Sequence, residues 1–575
     1  MKIIIAKNAG FCMGVRRAVE MALDAPNNYE GPIYTLGPLI HNPQVLTVLE
    51  EKGISTMKDI PAQGSGTVLI RAHGVPPEIK KNLVKAGFNI VDATCPRVLK
   101  VQTIIRKYSR QGYTSIIVGD KDHSEVVGLL GHAGKNGYIA SSLDELKNLP
   151  PFDQAIIVAQ TTQNVLFFEQ VKTWAKTHFP HYEVFNTVCD STEKRQADVK
   201  RLANLVDVVL VVGGRNSANT QRLVEVANRC GKPAYHIEGE TELDAGMLVA
   251  AKCIGITAGA STPNWTIKRV YRALEALLLR KDQSWREILF KIQRALLLSN
   301  VYLSIGAGCL CYACIGLQGI EFSLPNLLVS TLYVQSMHIF NHLTARKADR
   351  YNDPDKASFY LKHKDSLALL SIITGAAGLS IAYFMGMIPF LLLLSMIATG
   401  LSYNFELLPT HFFKTKYRRI RDIPASKTIL IAAAWGILTS VLPAISVPGK
   451  IGLGTALVFF WSASMVFVRT SFFDILDMQG DRIVGKETIP TLLGEKKTTR
   501  LLKFVMGISF FLLCLSAVSH IFPNLGFALA ICPIFLFMIL SFHERGDMPP
   551  GIRLEFLVET QFVLAGIITF VYSLA

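Results

Sequence analysis

Hydrophobic and polar positions follow different patterns in the two halves of the chain. From residue 1 to about 280, short apolar runs such as TSIIVGD, AIIVAQ and VVLVVGG alternate with charged amphipathic stretches. Short strands separated by helical patterns are typical of α/β units with parallel sheets. From about residue 299 onward, apolar stretches of membrane-spanning length predominate. The pattern predicts an α/β half followed by an all-α integral-membrane half.

The second half contains about nine apolar stretches that we interpret as transmembrane helices. They cover residues 299–317, 324–340, 366–384, 388–403, 428–445, 451–473, 501–521, 525–542 and 556–574. The preceding segment SWREILFKIQRALLL is amphipathic, and we expect it to lie at the membrane interface as a connector. The predicted domains are therefore 1–280, a connector over 281–298, and 299–575.

The chain of 575 residues carries a formal net charge of +15. Much of the excess lies in loops between the apolar stretches, where positive charge marks the cytoplasmic side of a membrane. These basic residues are Arg346, Lys347, Arg350, Lys414, Lys416, Arg418, Arg419, Arg482, Lys486, Lys496 and Lys497. They predict a multi-pass cell-membrane protein with its N-terminal half on the cytoplasmic side. They also make the lipid bilayer, and not nucleic acid, the expected partner.

Three cysteines of the first half occur in the same local setting. Cys12 in NAGFCMGVRR, Cys95 in NIVDATCPRV and Cys189 in VFNTVCDSTEKRQ each follow an apolar strand and open a helical segment. This recurrence predicts three similar α/β units whose strand ends converge on one point. Three thiolates can hold zinc or an iron–sulfur cluster with one position left open for substrate. The pattern itself leaves both metals open.

Three histidines also follow apolar stretches. They are His41 in LGPLIHNPQV, His73 in RAHGVPPE and His123 in GDKDHSEVVG, and Glu125 lies two residues after His123. The carboxyl ends of parallel strands form the crevice in which α/β proteins bind ligands. The histidines and the carboxylate therefore predict a polar site at these strand ends.

Two further loops carry hydroxyl and amide side chains. Ser217 and Asn219 lie in VVLVVGGRNSANTQRLVEVA, and Ser261 lies in GITAGASTPNW. A helix that begins at such a loop offers unpaired backbone N–H groups and the positive end of its dipole to an anion. The expected ligand is a small phosphorylated molecule.

Together, seven segments closely resemble the LytB/IspH family of 4-hydroxy-3-methylbut-2-enyl diphosphate reductases. They are AGFCMGVRRAV, GPLIHNPQV, RAHGVPPE, DATCPRV, NTVCDSTEKRQ, NSAN and TAGAS. The resemblance covers residues 1 to about 280 and implies an α/β trefoil around a [4Fe–4S] cluster held by Cys12, Cys95 and Cys189. It also implies reductive dehydroxylation of the diphosphate to isopentenyl and dimethylallyl diphosphate, the last step of the methylerythritol phosphate pathway.

The resemblance assigns roles to the remaining residues. Glu125 would deliver the proton with which the substrate hydroxyl leaves as water, and Thr161 in AQTTQ would orient this acid. An electron donor such as ferredoxin or flavodoxin is implied. The residues that would bind the diphosphate are His41, His73, His123, Ser217, Asn219 and Ser261. Ala218 replaces a second serine found in many members, so one hydrogen bond to the substrate is expected to be lost.

Two loops of the membrane half carry oxygen ligands. DILDMQGDR places Asp474, Asp477 and Asp481 at helical i, i+3, i+7 spacing, and NHLTARKADRYNDP contains Asn341 and Asp349. Two such loops on one side of the membrane predict a site for Mg²⁺ and a diphosphate, because oxygen ligands suit this hard cation.

The nine stretches and SFFDILDMQGDRIVGKETIPTLLG resemble the UbiA prenyltransferase superfamily. The second aspartate motif matches well, but His342 and Ala345 replace the first two acids of the first motif. The leading interpretation is a reductase fused to a membrane prenyltransferase that moves a polyprenyl group to an acceptor. A second interpretation keeps the reductase and treats the membrane half as an inactive anchor or prenyl-binding module. A third, a zinc hydrolase in the first half, is disfavoured because the motifs match the reductase throughout.

Overall fold

The computed structural model describes residues 2–575 except 245, 249–250, 282–284, 345–351, 404–422, 484–485, 547 and 549–550. The chain divides into two units, Met1–Leu274 and Glu275–Ala575. The division falls inside one helix, Asn264–Lys281. The predicted domain boundaries at residues 280 and 298 stay predictions.

The N-terminal unit alternates strands and helices as its apolar pattern predicts. Its strands are β1 (Lys2–Ile5), β2 (Ile33–Leu36), β3 (Ile54–Met57), β4 (Thr67–Ile70), β5 (Asn89–Asp92), β6 (Thr114–Val118), β7 (Gly137–Ala140), β8 (Ala155–Ala159), β9 (Glu183–Phe185), β10 (Val208–Val212), β11 (Ala234–Ile237) and β12 (Cys253–Ala258). Its helices are α1 (Met13–Asn28), α2 (Pro43–Glu51), α3 (Pro77–Lys85), α4 (Pro96–Ser109), α5 (Ser124–Ala133), α6 (Leu143–Lys147), α7 (Val165–His178), α8 (Asp190–Leu205), α9 (Ala218–Arg229) and α10 (Asn264–Lys281).

The strands form three four-stranded sheets with parallel pairing throughout. Their orders are β1-β12-β10-β11, β3-β2-β4-β5 and β7-β6-β8-β9. The central strands β4, β6, β8 and β10 are buried along their whole length, which explains their uninterrupted apolar sequences. The prediction of three α/β units is confirmed.

The three sheets share one arrangement of strands around the predicted cysteine ligands. β1, β5 and β9 each lie at an edge, and each leads directly into the helix that begins after a predicted cysteine ligand. The neighbouring strands are β12, β4 and β8. The three cysteines therefore occupy equivalent positions in the three sheets.

The C-terminal unit is helical throughout its described residues. Its helices are α11 (Trp285–Leu298), α12 (Val301–Leu317), α13 (Leu324–Thr344), α14 (Pro354–Lys362), α15 (Lys364–Met385), α16 (Met387–Ser402), α17 (Ser426–Gly436), α18 (Leu442–Ile445), α19 (Leu453–Ile483), α20 (Ile489–Leu493), α21 (Glu495–Val518), α22 (Leu525–Leu529), α23 (Ile531–Arg545) and α24 (Ile552–Leu574). A π-helical turn over Ile437–Val441 joins α17 to α18.

In the described parts of this unit, six helical stretches are long and apolar enough to cross a membrane. They are Lys364–Met385, Ser426–Ile445, Leu453–Arg482, Glu495–Val518, Leu525–Arg545 and Ile552–Leu574. A seventh forms if α11 and α12, which meet at a 74° bend, are counted as one span. Each predicted stretch falls on a helix, but a count of nine is not confirmed, since α16 is short and α13 contains polar residues such as Gln335 and His338.

The exposed surface of the C-terminal unit carries large apolar side chains. On α21, Phe504, Phe511 and Leu515 each expose about two thirds of their surface, while Trp461 and Phe562 are fully buried in the helical core. Such apolar surface is unfavourable in water and favourable in a lipid environment. The unit has the surface of a multi-pass membrane domain.

Candidate active sites

The three predicted cysteine ligands are each the residue immediately before a helix. Cys12, Cys95 and Cys189 are the N-cap residues of α1, α4 and α8, and all three are free thiols. At Cys12 the backbone N–H of Val15 donates to Sγ at 3.4 Å. The positive end of a helix dipole favours a thiolate over a thiol. The fold therefore places each of the three predicted sulfur ligands at the N-terminal end of a helix.

The cysteines lie close enough to influence one another. Burial raises the pKa of the Cys95 thiol, and the nearby sulfurs of Cys12 and Cys189 raise it further. A Cβ atom at Gly14 would lie only 2.4 Å from Sγ of Cys95, so a glycine is needed for α1 to approach this sulfur. The thiols thus gather at one point, as the sequence predicts.

Each cysteine is also tied to the loop that follows the neighbouring strand. The backbone N–H of Cys189 donates to the carbonyl of Thr161 at 2.9 Å. Cys95 donates to Ala72, beside His73, at 2.9 Å, and Cys12 donates to Ala260, beside Ser261, at 3.2 Å. The same kind of backbone bond therefore joins each predicted sulfur ligand to a loop that carries a predicted site residue.

The spacing of the sulfurs bears on which metal they fit. Among the described residues, the three histidines are the group whose ligand atoms all lie within 4.8 Å of one another; the three sulfurs form no such group. A single zinc ion would hold each sulfur at about 2.3 Å and draw them together. Three thiols gathered at one point but not converging on a single ion fit a multinuclear cluster better than zinc.

Glu125 and Thr161 form a buried pair. The backbone N–H of Thr161 donates to Oε1 of Glu125 at 2.6 Å, and its hydroxyl donates to Oε2 at 2.8 Å. Glu125 is 1% exposed, and burial raises its pKa, an effect that the two bonds from Thr161 oppose. A carboxyl whose pKa is raised retains a proton closer to neutral pH and can act as a general acid.

His41, His73 and His123 form one cluster. Their ring centroids lie 5.1 Å (His41–His73), 5.2 Å (His73–His123) and 6.0 Å (His41–His123) apart. Burial lowers the pKa of each ring, to about 4 for His123, and the positive charge of Arg71 contributes to all three shifts. The imidazoles are therefore neutral at pH 7 in the unliganded protein.

The hydrogen bonds of the cluster suit an anion. Nδ1 of His123 accepts from the backbone N–H of Glu125 at 3.2 Å, which assigns the ring proton of the neutral form to Nε2. Nε2 of His123 therefore offers a hydrogen-bond donor to a ligand and no lone pair to a metal ion. The positive charge of Arg71 also disfavours the binding of a cation at this cluster. Nδ1 of His73 is buried without a partner among the described residues. These features favour phosphate oxygens over a metal ion at this cluster.

The predicted hydroxyl and amide residues lie at the beginning of α9. Ser217 is its N-cap residue, and its Oγ accepts from the backbone N–H of Thr220 at 3.4 Å. The hydroxyl of Ser261 donates to the carbonyl of His41 at 3.2 Å and to Oγ of Ser217 at 3.4 Å. Asn219 is buried, and its Nδ2 has no partner in the described part of the chain. The structure therefore brings Ser217 and Ser261 to His41 and leaves Asn219 an unused donor.

Arg222 is a site residue that the sequence reasoning missed. Its guanidinium donates to both carboxylate oxygens of Asp120 at 2.9 Å and to the carbonyl of Thr162 at 2.6 Å. It thereby joins α9 to the loop that precedes α5, the helix of Glu125, and to the loop that carries Thr161. A basic residue in a charged amphipathic helix normally lies on the solvated face, and only its 8% exposure in the fold reveals the role of Arg222.

In the membrane unit, α19 carries Asp474, Asp477 and Asp481 on one face. The hydroxyl of Thr428 donates to Oδ2 of Asp474 at 2.8 Å, and the amide of Asn352 donates to Oδ1 of Asp481 at 2.9 Å. Three carboxylates at the end of a long apolar helix are suitable ligands for Mg²⁺.

The facing motif of this site is only partly described. Asn341 and His342 lie on α13, and the His342 ring packs against Tyr360 with centroids 5.2 Å apart. Asp349 and Ala345 lie outside the described residues. The structure therefore describes the positions of the α19 carboxylates and of Asn341, whereas Asp349 and the magnesium site itself stay predictions.

Comparisons with known proteins separate the two units. A model of the LytB protein family matches residues 3–275, and a model of the UbiA prenyltransferase family matches residues 292–557. Two relatives are called 4-hydroxy-3-methylbut-2-enyl diphosphate reductase. The protein from Geotalea uraniireducens is 43% identical over 284 residues, which cover 49% of this chain and 100% of the relative. The protein from Aquifex aeolicus is 40% identical over 278 residues, covering 48% and 96%.

Solved structures match each half as well. A structure of (E)-4-hydroxy-3-methyl-but-2-enyl diphosphate reductase is 40% identical, covers 48% of this chain and 99% of its own, and has a TM-score of 0.38. A UbiA homolog from Archaeoglobus fulgidus bound to GPP and Mg²⁺ is 19% identical, covers 49% and 98%, and has a TM-score of 0.36.

Proposed function

This chain belongs to the LytB family of 4-hydroxy-3-methylbut-2-enyl diphosphate reductases through its N-terminal unit, and its C-terminal unit matches a model of the UbiA prenyltransferase family. From this premise we propose its reactions. The N-terminal unit reduces 4-hydroxy-3-methylbut-2-enyl diphosphate to isopentenyl and dimethylallyl diphosphate. The allylic C–O bond breaks, the oxygen leaves as water, and two electrons and two protons are consumed. The electrons come from a donor such as ferredoxin or flavodoxin.

The observation that carries this proposal is the backbone bond from each cysteine to a substrate loop. The bond from Cys189 to Thr161 supports the proposal, because it joins a proposed cluster ligand to the residue that holds the buried acid Glu125. The equivalent bonds bring Cys95 to the loop of His73 and Cys12 to the loop of Ser261. Electron supply, proton supply and anion binding therefore meet within one site.

The residues of the site have separable tasks. Cys12, Cys95 and Cys189 would hold the [4Fe–4S] cluster, which supplies the reducing electrons when bound. Glu125 holds a proton on its buried carboxyl and transfers it to the hydroxyl that leaves, while Thr161 fixes the direction of both carboxyl oxygens.

The diphosphate is bound by donors from several loops. The neutral imidazoles of His41, His73 and His123 surround it. Its oxygens also accept hydrogen bonds from Ser217, Asn219 and Ser261. Burial of these groups excludes water and strengthens each bond to the anion. A bound diphosphate also favours protonation of the histidines, which would add charge-assisted bonds.

The reductase proposal is tested by genetic complementation. The full chain is expressed in a bacterium whose own 4-hydroxy-3-methylbut-2-enyl diphosphate reductase is repressed. We expect growth to be restored by the wild-type chain and not by Glu125→Gln. Failure of a stably expressed, iron-loaded wild-type chain to restore growth would overturn the proposal.

For the membrane unit, we infer a second reaction, the transfer of a polyprenyl group from its diphosphate to an acceptor. Mg²⁺ would be held by Asp474, Asp477 and Asp481 together with Asn341 and Asp349. The shared face of the three α19 carboxylates supports this function. The unit would anchor the chain in the cell membrane with the N-terminal unit on the cytoplasmic side.

The packing of His342 supports the alternative of an inactive anchor or prenyl-binding module. Its ring occupies the position of a family acid and lies against Tyr360, so it supplies no carboxylate to Mg²⁺. Incubating membranes with prenyl diphosphates and Mg²⁺, followed by mass spectrometry of the lipids, decides between the two. A prenylated product supports transfer, and its absence with every prenyl diphosphate supports the anchor.

A further inference from the structure

Arg195 is a buried cation that the proposed reaction does not use. It lies on α8, six residues after Cys189, and is 3% exposed. Its guanidinium donates to the carbonyl of Gly10, in the loop that carries Cys12, and to the carbonyl of Ser191 at 3.2 Å. Arg195 therefore joins the helix of one cysteine ligand to the loop of another.

The charge of Arg195 lies within electrostatic range of two predicted cluster ligands. The guanidinium interacts electrostatically with Cys12 and Cys189, and more weakly with Asp198. Asp198 already accepts bonds from the backbone N–H of Asn8 and from Arg201. Because an uncompensated buried cation is costly, a negatively charged cluster held by these cysteines would compensate this charge.

One donor of the guanidinium is unused. Nε of Arg195 is buried and has no hydrogen-bond partner among the described residues. Unsatisfied buried donors are rare in folded proteins and commonly mark a functional contact or a bound group. Here the orphaned donor belongs to a side chain that is in electrostatic contact with two of the three predicted cluster ligands.

We propose that Arg195 is a positioning residue that raises the reduction potential of the iron–sulfur cluster. The proposal rests on the proposed reductase function. Each added electron makes a thiolate-bound cluster more negative, so a fixed buried cation and an N–H donor near its sulfurs stabilise the reduced form. Arginine suits this task because its charge is permanent and its planar donors can bond Gly10 and Ser191 while Nε stays available.

The test compares reduction potentials of the anaerobically purified full chain and three variants. Arg195→Gln removes the charge, and Arg195→Lys keeps it with fewer donors. Arg97→Gln is the matched control, because Arg97 also lies close after a cysteine ligand but is half-exposed and pairs with Asp190. Spectroelectrochemical titration gives the midpoint potential, and iron and sulfide analysis gives the cluster content.

We expect Arg195→Gln to shift the midpoint to a more negative potential, Arg195→Lys to shift it less, and Arg97→Gln to leave it unchanged. A midpoint for Arg195→Gln that equals the Arg97→Gln value would overturn the proposal. If Arg195→Gln loses its iron, the Arg195→Lys variant becomes the test. Iron retained by Arg195→Lys, with a midpoint near the wild-type value, supports a role of the positive charge. Loss of iron from Arg195→Lys to the same extent as from Arg195→Gln contradicts it. The reductase proposal fails separately, on the wild-type chain. It fails if that chain contains no cluster or if its cluster-loaded form leaves 4-hydroxy-3-methylbut-2-enyl diphosphate unchanged, and neither result depends on the midpoint of Arg195→Gln.

Discussion

Glu125 combines burial with two hydrogen bonds from a single partner, and these determine its chemistry. Burial favours the neutral acid, and the bonds from Thr161 favour the carboxylate, so the pKa reflects the balance of the two. The sequence identified both residues through family motifs. It could not show that the backbone N–H and the hydroxyl of Thr161 bond different oxygens, since that geometry depends on the pairing of β6 with β8.

The role of Glu125 as acid is tested by Glu125→Gln. The amide keeps the size of the side chain but has no transferable proton, so turnover should fall by roughly 10²–10⁴-fold while the substrate still binds. Steady-state kinetics with saturating reductant measures this. Glu78→Gln, an exposed residue in the first turn of α3, serves as the control. A Glu125→Gln rate within about threefold of wild type would exclude this role, since general acid catalysis is worth far more.

Thr161→Val should change the pH dependence in a defined direction. The lost hydroxyl bond had favoured the carboxylate, so the pKa of Glu125 should rise. Activity requires the protonated acid and falls as pH rises through this pKa. The alkaline limb of the kcat/KM profile should therefore move to higher pH. A limb that stays in place or moves to lower pH would show that Thr161 does not control this proton.

At the scale of elements, the site depends on how helices and loops of different sheets are joined. The pattern of strand followed by helix was sufficient to predict that Cys12, Cys95 and Cys189 begin helices. It did not predict that each follows an edge strand, because strand order is determined by pairing between distant segments. Arg222 was missed for a related reason, since the buried face of α9 is defined only by what packs against it.

The junction of Arg222 with Asp120 is tested by Asp120→Asn. The negative charge of Asp120 raises the pKa of Glu125, so its removal should lower this pKa. The alkaline limb of the kcat/KM profile should then move to lower pH, opposite to the shift in Thr161→Val. The rate should also fall by about tenfold, because the charge-assisted hydrogen bonds from the buried guanidinium of Arg222 to Asp120 are weakened. Asp120→Glu, which keeps the charge, should retain the wild-type limb, and a common shift in both variants would contradict the explanation.

At the scale of the whole molecule, the chain joins two units that match two different protein families. Each predicted apolar stretch falls on a helix in the part of the C-terminal unit that the structure describes. The stretches did not determine how many of these helices cross the membrane. This number depends on the polar residues of α13 and on the bend between α11 and α12, and both are understood only from the packing and geometry of the helices. The departures His342 and Ala345 were visible in the sequence, whereas the packing of His342 on Tyr360 required the fold.

Independence of the two units is tested by Asp477→Asn. Asp477 is the middle one of the three carboxylates on this face of α19, so its substitution by Asn removes a charge from the centre of the proposed magnesium site. We expect prenyl transfer to be abolished and the reductase rate to stay at the wild-type value. Asp365→Asn, an exposed acid in the first turn of α15, should affect neither reaction. Loss of the reductase rate in correctly folded Asp477→Asn would contradict separate sites.

The most direct test of the account is turnover of 4-hydroxy-3-methylbut-2-enyl diphosphate by the anaerobically purified full chain, with iron and sulfide measured on the same sample. The account predicts bound iron and sulfide, and formation of isopentenyl and dimethylallyl diphosphate from the reduced protein. It also predicts loss of both in Cys189→Ser but not in Cys230→Ser, a cysteine outside the site. Bound zinc without sulfide, or an iron–sulfur protein that leaves the diphosphate unchanged, would contradict it.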